Sequence, residues 1–352
     1  MAHTTLTRRL AMTLALTTAP VHAGTVTIDR MGLSEGNVVA LLEATSDYHM
    51  RAMRSLILDK YPLAHHPRRW EALEASMRSA SVARVEYRYQ INGSLQTRVY
   101  HAMSGPPLSD VAESVFAGDS PAPTPPLLDS GDFTQREPHE TTPHDLARQR
   151  AMDASDDAYF SKLPEGSVRA RVTDVDNSVL TAFEVEGAQG AGDAEFKAIR
   201  AIERDILDGV VPRGGTLVGM VGASACVSCR HALESLADTY GIDARLTQVF
   251  GGVSTKVQRD AIASGVARWK GPLLVDAQSG RPLIARDLLA ESRDRQVRRL
   301  LSPLGTNDAR PSSWIKRSFR LGTSKMAPDS EKGQSGHSRP PSESDDPVFE
   351  DC

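Results

Sequence analysis

Two cysteines and two carboxylates are the residues whose types and spacing invite chemistry in this chain. Cys226 and Cys229 form a C-x-x-C, and Asp193 and Glu195 form an earlier D-A-E. Two thiolates one helical turn apart can fill two positions of a tetrahedral zinc, and a catalytic site needs one more protein ligand and an open position. Asp193 can be that ligand, with Glu195 close to the same centre but not bound to it. A dithiol at a helix start, where free N–H groups and the positive dipole end favour thiolates, suits disulfide exchange as well. Taken singly, Asp193 after Gly192 is a good helix cap and Glu195 a favourable first-turn acid.

These residues need elements to hold them. DAEFKAIRAIERDIL reads as a helix, because Phe196, Ile199, Ile202 and Ile206 recur at helical spacing. TLVGMVGA reads as a buried strand, CVSCRHALESLADTY as a second helix with Leu233, Leu236, Ala237 and Tyr240 on one face, and DARLTQVF as a strand after the Gly241 stop. Upstream, VRARVTDVDNSVLTAFEVEG reads as two strands about Asp176-Asn177. The predicted order is β-β-α-β-α-β, a three-layer α/β unit over residues ~165 to ~255. GPLLVDAQSGRPLI then reads as a strand and turn, and RDLLAESRDRQVRRLL as a closing helix.

On these residues the chain resembles the bacterial toxin and effector branch of the cytidine-deaminase-like superfamily. There a helix carrying [HDC]-x-E is followed, after a strand, by a helix that starts with C-x-x-C, as in DAEFKAI, GTLVGMVGASACVSC and YGIDARLTQV here. The resemblance implies that Asp193, Cys226 and Cys229 hold Zn²⁺ and that Glu195 is the catalytic proton shuttle. It implies hydrolytic deamination at C4 of a cytosine or C6 of an adenine, with zinc lowering the pKa of the attacking water. Two positions depart from the pattern. Asp193 stands where most deaminases have His, and Ala225 where many have Pro. One aspartate and two thiolates around Zn²⁺ leave the site formally at −1, so Lys197 and Arg230 are candidate compensating cations, with solvated helix charges as the plainer reading. The resemblance also implies a secreted toxin acting in the cytosol of a host or recipient cell, with a nucleobase-containing substrate and an immunity protein or host target as partner.

A different resemblance covers much the same stretch. Strand, C-x-x-C and helix occur in that order in thioredoxin-like oxidoreductases, and Lys270-Gly271-Pro272 falls roughly where their active-site-facing proline lies. That reading makes Cys226 an attacking thiolate and gives the D-A-E no role. A non-catalytic zinc-stabilised interaction module is the third alternative.

Composition bounds the rest. The chain has 352 residues and a net charge of −4, with 41 basic and 45 acidic residues interspersed, so no global field favours nucleic acid or membrane. Three cysteines make no disulfide framework. Arg8 and Arg9 before an apolar stretch, then Val21-His22-Ala23, read as an export-like leader over 1–24, and no apolar run reaches the ~18 residues of a membrane span. Residues 25–103 read as an N-terminal α+β region. It contains helical stretches near 34–58 and 70–77 and a hairpin about Asn92-Gly93, a dipeptide that accepts the positive φ of a type I′ turn. The recurring prolines of 104–150 read as a disordered linker, 151–305 as the deaminase-like domain, and the Ser/Pro-rich 306–352 as a disordered tail.

Overall fold

A computed structural model describes residues 24–61, 67–116, 143–160, 163–173, 175–180, 184–185, 188–189 and 192–301. The chain begins with strand β1 (Val26–Met31), helices α1 (Gly36–Lys60) and α2 (Pro67–Ser79), and a hairpin of β2 (Val82–Ile91) and β3 (Ser94–Met103). Helices α3 (Leu108–Phe116) and α4 (Pro143–Asp156) and the short strands β4 (Ser167–Arg169), β5 (Glu184–Val185) and β6 (Ala188–Gln189) come next. Then follow α5 (Ala194–Leu207), β7 (Thr216–Val221), α6 (Val227–Tyr240) and β8 (Asp243–Val249). Helix α7 (Thr255–Ala263), strands β9 (Ala267–Lys270) and β10 (Leu273–Asp276), and α8 (Ala285–Leu301) close the described chain.

Strand alternation builds one mixed sheet with a core on each face. Its order is β1-β8-β7-β2-β3-β4. β1, β8 and β7 run parallel, and β2 is antiparallel to both β7 and β3. Ala83, Val85, Tyr87, Leu217 and Leu246 point to the face covered by α5 and α6, whereas Met31, Val82, Met103 and Val249 pack against α1, α2, α3 and α8. The architecture is therefore α/β, a six-stranded sheet between two helical layers. The carboxyl ends of β1, β3, β7 and β8 and the amino end of β2 share one end of the sheet.

Local signals are met where they were strong. Asn92 and Gly93 take φ of 51° and 76° at the hairpin turn, and Gly241 caps α6 in the left-handed region at 67°. Helices at 36–60, 67–79 and 285–301 match the helical periodicities. Among the described residues, no helix is long and apolar enough to cross a membrane.

Three expectations are corrected. Residues 25–103 are not a region apart from 151–305: β2 lies between β7 and β3, and β1 pairs along its whole length with β8. The two strands expected about Asp176-Asn177 reduce to β4, a turn with Asn177 at φ 58°, and the two-residue pair β5 and β6. The antiparallel pair beside β7 is instead β2 and β3. Within the expected linker, Leu108, Val111, Ala112, Val115 and Phe116 form a buried helical face on α3, because a stripe spaced three to four residues apart needs only one apolar surface to settle on. Residues 1–23 of the export-like leader, the proline-rich 117–142 and the whole tail at 306–352 lie outside the described residues.

One consequence is that residues 155 to 305 alone are expected to remain unfolded. That fragment lacks β1, β2 and β3 and so exposes the buried face of α5, whose neighbours in the sheet are β2 and β3. Circular dichroism and proteolysis of the fragment check this; a protease-resistant, cooperatively melting fragment contradicts the sheet.

The α1 face also sets an acid limit on stability. His101 Nδ1 lies 2.9 Å from Thr45 Oγ1, and His49 Nδ1–H donates to the Thr45 carbonyl at 2.9 Å. Burial holds His49 down at about 3 and His101 down at about 4. Both folded values lie below the unfolded value of about 6.5. The unfolded chain therefore binds more protons as pH falls below that value, and stability is lost from about pH 6.5 down to about pH 4 for His101 and about pH 3 for His49. Each histidine costs up to about 1.4 kcal/mol per pH unit in that window. Urea midpoints should fall between pH 7 and pH 5, and His49→Asn, which keeps a donor for the Thr45 carbonyl, should flatten the dependence. A midpoint independent of pH, or unchanged in its pH dependence by His49→Asn, contradicts this assignment.

Candidate metal centre

The four residues that the spacing singled out meet at the sheet end just described. Asp193 stands at the amino end of α5, with φ −69° and ψ 143°, and its side chain makes no capping hydrogen bond. Cys226 is the cap of α6, where its Sγ accepts the Cys229 N–H at 3.2 Å. Asp193 Oδ2 lies 3.4 Å from Cys226 Sγ and 3.5 Å from Cys229 Sγ, and the two sulfurs are 2.9 Å apart. Both cysteines are free thiols. Two helix starts thus bring one carboxylate and two thiols to one point. Among the described residues this is the group of metal-ligating side chains that could hold an ion.

The donor set fits zinc. Bond lengths of about 2.3 Å to sulfur and 2.0 Å to oxygen at tetrahedral angles put oxygen about 3.5 Å from sulfur and the two sulfurs about 3.8 Å apart. The oxygen–sulfur separations already match, and the sulfurs must part. The protonation pattern agrees. Burial, then Cys226, pushes Asp193 up to about 6, and the hydrogen bond with Cys226, then burial, pushes the Cys229 thiol up. The crowding favours protons on Asp193 and Cys229 that a divalent cation would displace.

Glu195 is placed differently. It is 5% exposed, in the first turn of α5, and is not among the three converging donors. Burial, with smaller contributions from Asp193 and Cys226, raises its carboxyl to about 8. Glu195 stands four, seven and eleven residues before Ile199, Ile202 and Ile206, on the buried stripe of α5, and that placement desolvates it.

The same packing decides Lys197. It is not a solvated helix charge: it is 5% exposed, and its Nζ donates to the carbonyls of Met103 at 2.9 Å and Gly105 at 2.7 Å. Burial lowers it to about 8, and Asp153 and Asp193 act to raise it. Together with the Gly105 N–H, which donates to the Gly192 carbonyl at 3.0 Å, it ties the loop after β3 to the start of α5. Arg230 is half-buried on α6.

No known protein family, curated protein or solved structure matches the chain. The site is therefore read from its own geometry.

Sequence reasoning missed Gln248. It is 4% exposed near the end of β8, and its Oε1 accepts the Ala225 N–H at 2.8 Å, which fixes the turn just before Cys226. The only trace in the sequence is a polar residue inside an otherwise alternating strand. Lys270-Gly271-Pro272 does not lie opposite the thiols in the main sheet. Gly271 and Pro272 form the solvent-exposed turn of the separate β9–β10 hairpin, with Gly271 at φ 61°.

Proposed function

We propose that the chain is a zinc-dependent hydrolytic deaminase of a nucleobase, carried as a secreted toxin or effector. The observation that supports it best is the division of labour at the site. Three soft and hard donors from two helix starts converge within 3.5 Å, while Glu195, two residues from one of them, stays outside the set. The chain order β2, β3, α5, β7, α6, β8 also supplies a β-β-α-β-α-β unit, with its antiparallel pair drawn from 82–103. That order supports the cytidine-deaminase-like reading of the fold.

Asp193 Oδ2, Cys226 Sγ and Cys229 Sγ would hold the zinc. When bound, zinc lowers the pKa of water and polarises the atom it faces. The remaining work falls to the chain. Glu195 takes one proton from water at a carboxylate oxygen and passes it to the ring nitrogen, then takes the second from the added hydroxyl and passes it to the departing amine, so that water and the aminated base become an oxo base and ammonia. Lys197 sits in the same turn region and offsets part of the charge that Asp193 adds. Gln248 and the α6 amino end keep the thiols in place.

The test is metal content and activity together. Purified chain should carry one zinc, lost in Cys226→Ser and in Cys229→Ser, and should release ammonia from a cytosine- or adenine-containing nucleoside or oligonucleotide. Zinc-free protein that reduces insulin disulfides would establish the dithiol reading instead. Bound zinc with no deamination of any nucleobase substrate would leave a metal-stabilised interaction module.

A further inference from the structure

Residues 254–272 form an arm that buries almost nothing. Helix α7 has no buried residue, and of the stretch that follows through Pro272 only Ala267 is buried. A nine-residue helix is marginal in water without packing. Ser254 caps it, accepting the Val257 N–H, and the Val266 carbonyl accepts the Ala277 N–H to hold the arm on the hairpin. What the arm displays is aromatic and basic. Trp269 is 52% exposed on one face of β9, Arg268 and Lys270 are exposed on the other, and Lys256 and Arg259 are exposed on α7. Four cations against the single carboxylate of Asp260 stand out in a chain of net charge −4.

The arm grows from the end of the sheet that carries the metal centre. Gln248, which holds the turn before Cys226, precedes Ser254 by six residues, a span of at most about 20 Å. The exit of the β9–β10 hairpin is tied to the loop after β1, with Ser34 N–H donating to Leu283 O and Ala285 N–H to Gly32 O. A parallel α/β sheet presents ligands outside the carboxyl ends of its strands, and both features lie there.

We infer that the α7–β9 arm is a docking surface for single-stranded nucleic acid, and that the substrate base is taken from a polynucleotide rather than from a free nucleotide. The choice of a nucleobase polymer rests on the deaminase reading; the surface itself rests on charge and exposure. Cations spaced along an arm follow a phosphate backbone, and an exposed tryptophan ring on the same arm stacks a base without regard to its identity. A base buried in a duplex could not reach a recessed centre, whereas an unpaired one can be handed on from the arm.

The probe is a fluorescein-labelled oligothymidylate, which has no exocyclic amine and so binds without any possibility of deamination. Anisotropy titrations with the full chain should show binding that weakens steeply with salt. Trp269→Ala should weaken it roughly tenfold, and Arg268→Glu with Lys270→Glu should abolish it at moderate salt. All three side chains are exposed, so unchanged melting temperatures should accompany the losses. Arg259→Glu, on the separate helix, should also weaken binding. Absence of oligonucleotide binding overturns the inference, as does binding that none of these variants changes. Binding to phosphatidylserine vesicles without oligonucleotide binding overturns it in favour of a lipid surface. Oligothymidylate binding by a chain that deaminates nothing refutes the proposed activity and leaves the docking surface standing.

Discussion

Glu195→Gln is expected to abolish deamination while leaving zinc content and folding nearly intact. The amide has the shape of the acid, and the three donors are Asp193, Cys226 and Cys229, so the metal keeps its protein ligands. The substitution also removes an ionisable group from a site where burial already disfavours its charge, so stability should hold or rise slightly. Activity has no such protection. General acid–base assistance is typically worth about 10²–10⁴-fold, and one residue serving successive proton transfers in a turnover should sit at the upper end. Ammonia release in vitro and sequencing of a host that expresses the chain, scored for C-to-T or A-to-G changes, read the effect. A variant as toxic and as mutagenic as the parent sinks the mechanism.

The second large effect is expected at Asp193. As a capping residue it would lose about 1 kcal/mol of helix stability on truncation and leave any metal alone. Its side chain makes no capping bond and points instead to both sulfurs, so Asp193→Ala should cost little stability in the metal-free protein. It should cost more metal affinity than the roughly 10–100-fold typical of a residue that only supports a ligand. Asp193→His separates ligand from bystander. A neutral imidazole supplies a nitrogen donor and removes one negative charge from the site, so zinc should be retained and the pH at which turnover rises should shift downward. Competition with a chelator gives the affinities, and rate against pH gives the second readout. Full zinc affinity in Asp193→Ala would falsify the ligand assignment, and loss of zinc from Asp193→His would mean that only the shorter carboxylate fits between the two helix starts.

Much of this protein was legible because its signals are local. The left-handed turn at Asn92-Gly93, the Gly241 stop, the apolar stripe from Phe196 to Ile206 and the thiol spacing of Cys226 and Cys229 depend on a few neighbouring residues, and each stands as the sequence predicts. The pairing of D-A-E with C-x-x-C likewise needed only helix starts that face one sheet end. What the sequence alone did not contain is the choice of strand partners. β2 reads as a strand in isolation, but only the closed sheet places it between β7 and β3 and makes 26–103 part of the same body as Asp193, Cys226 and Cys229. The energy of strand pairing comes from residues far apart in sequence, and loop closure adds little preference between one partner and another. Burial was decided the same way. Lys197 looks like a solvent-facing position of an amphipathic helix, opposite the apolar stripe, and it is desolvated because the loop after β3 closes over it and takes its hydrogen bonds. The reverse holds for Trp269, whose type favours a core but which the structure leaves about half exposed on an arm, since an element finds its cover only when the whole chain has taken its place.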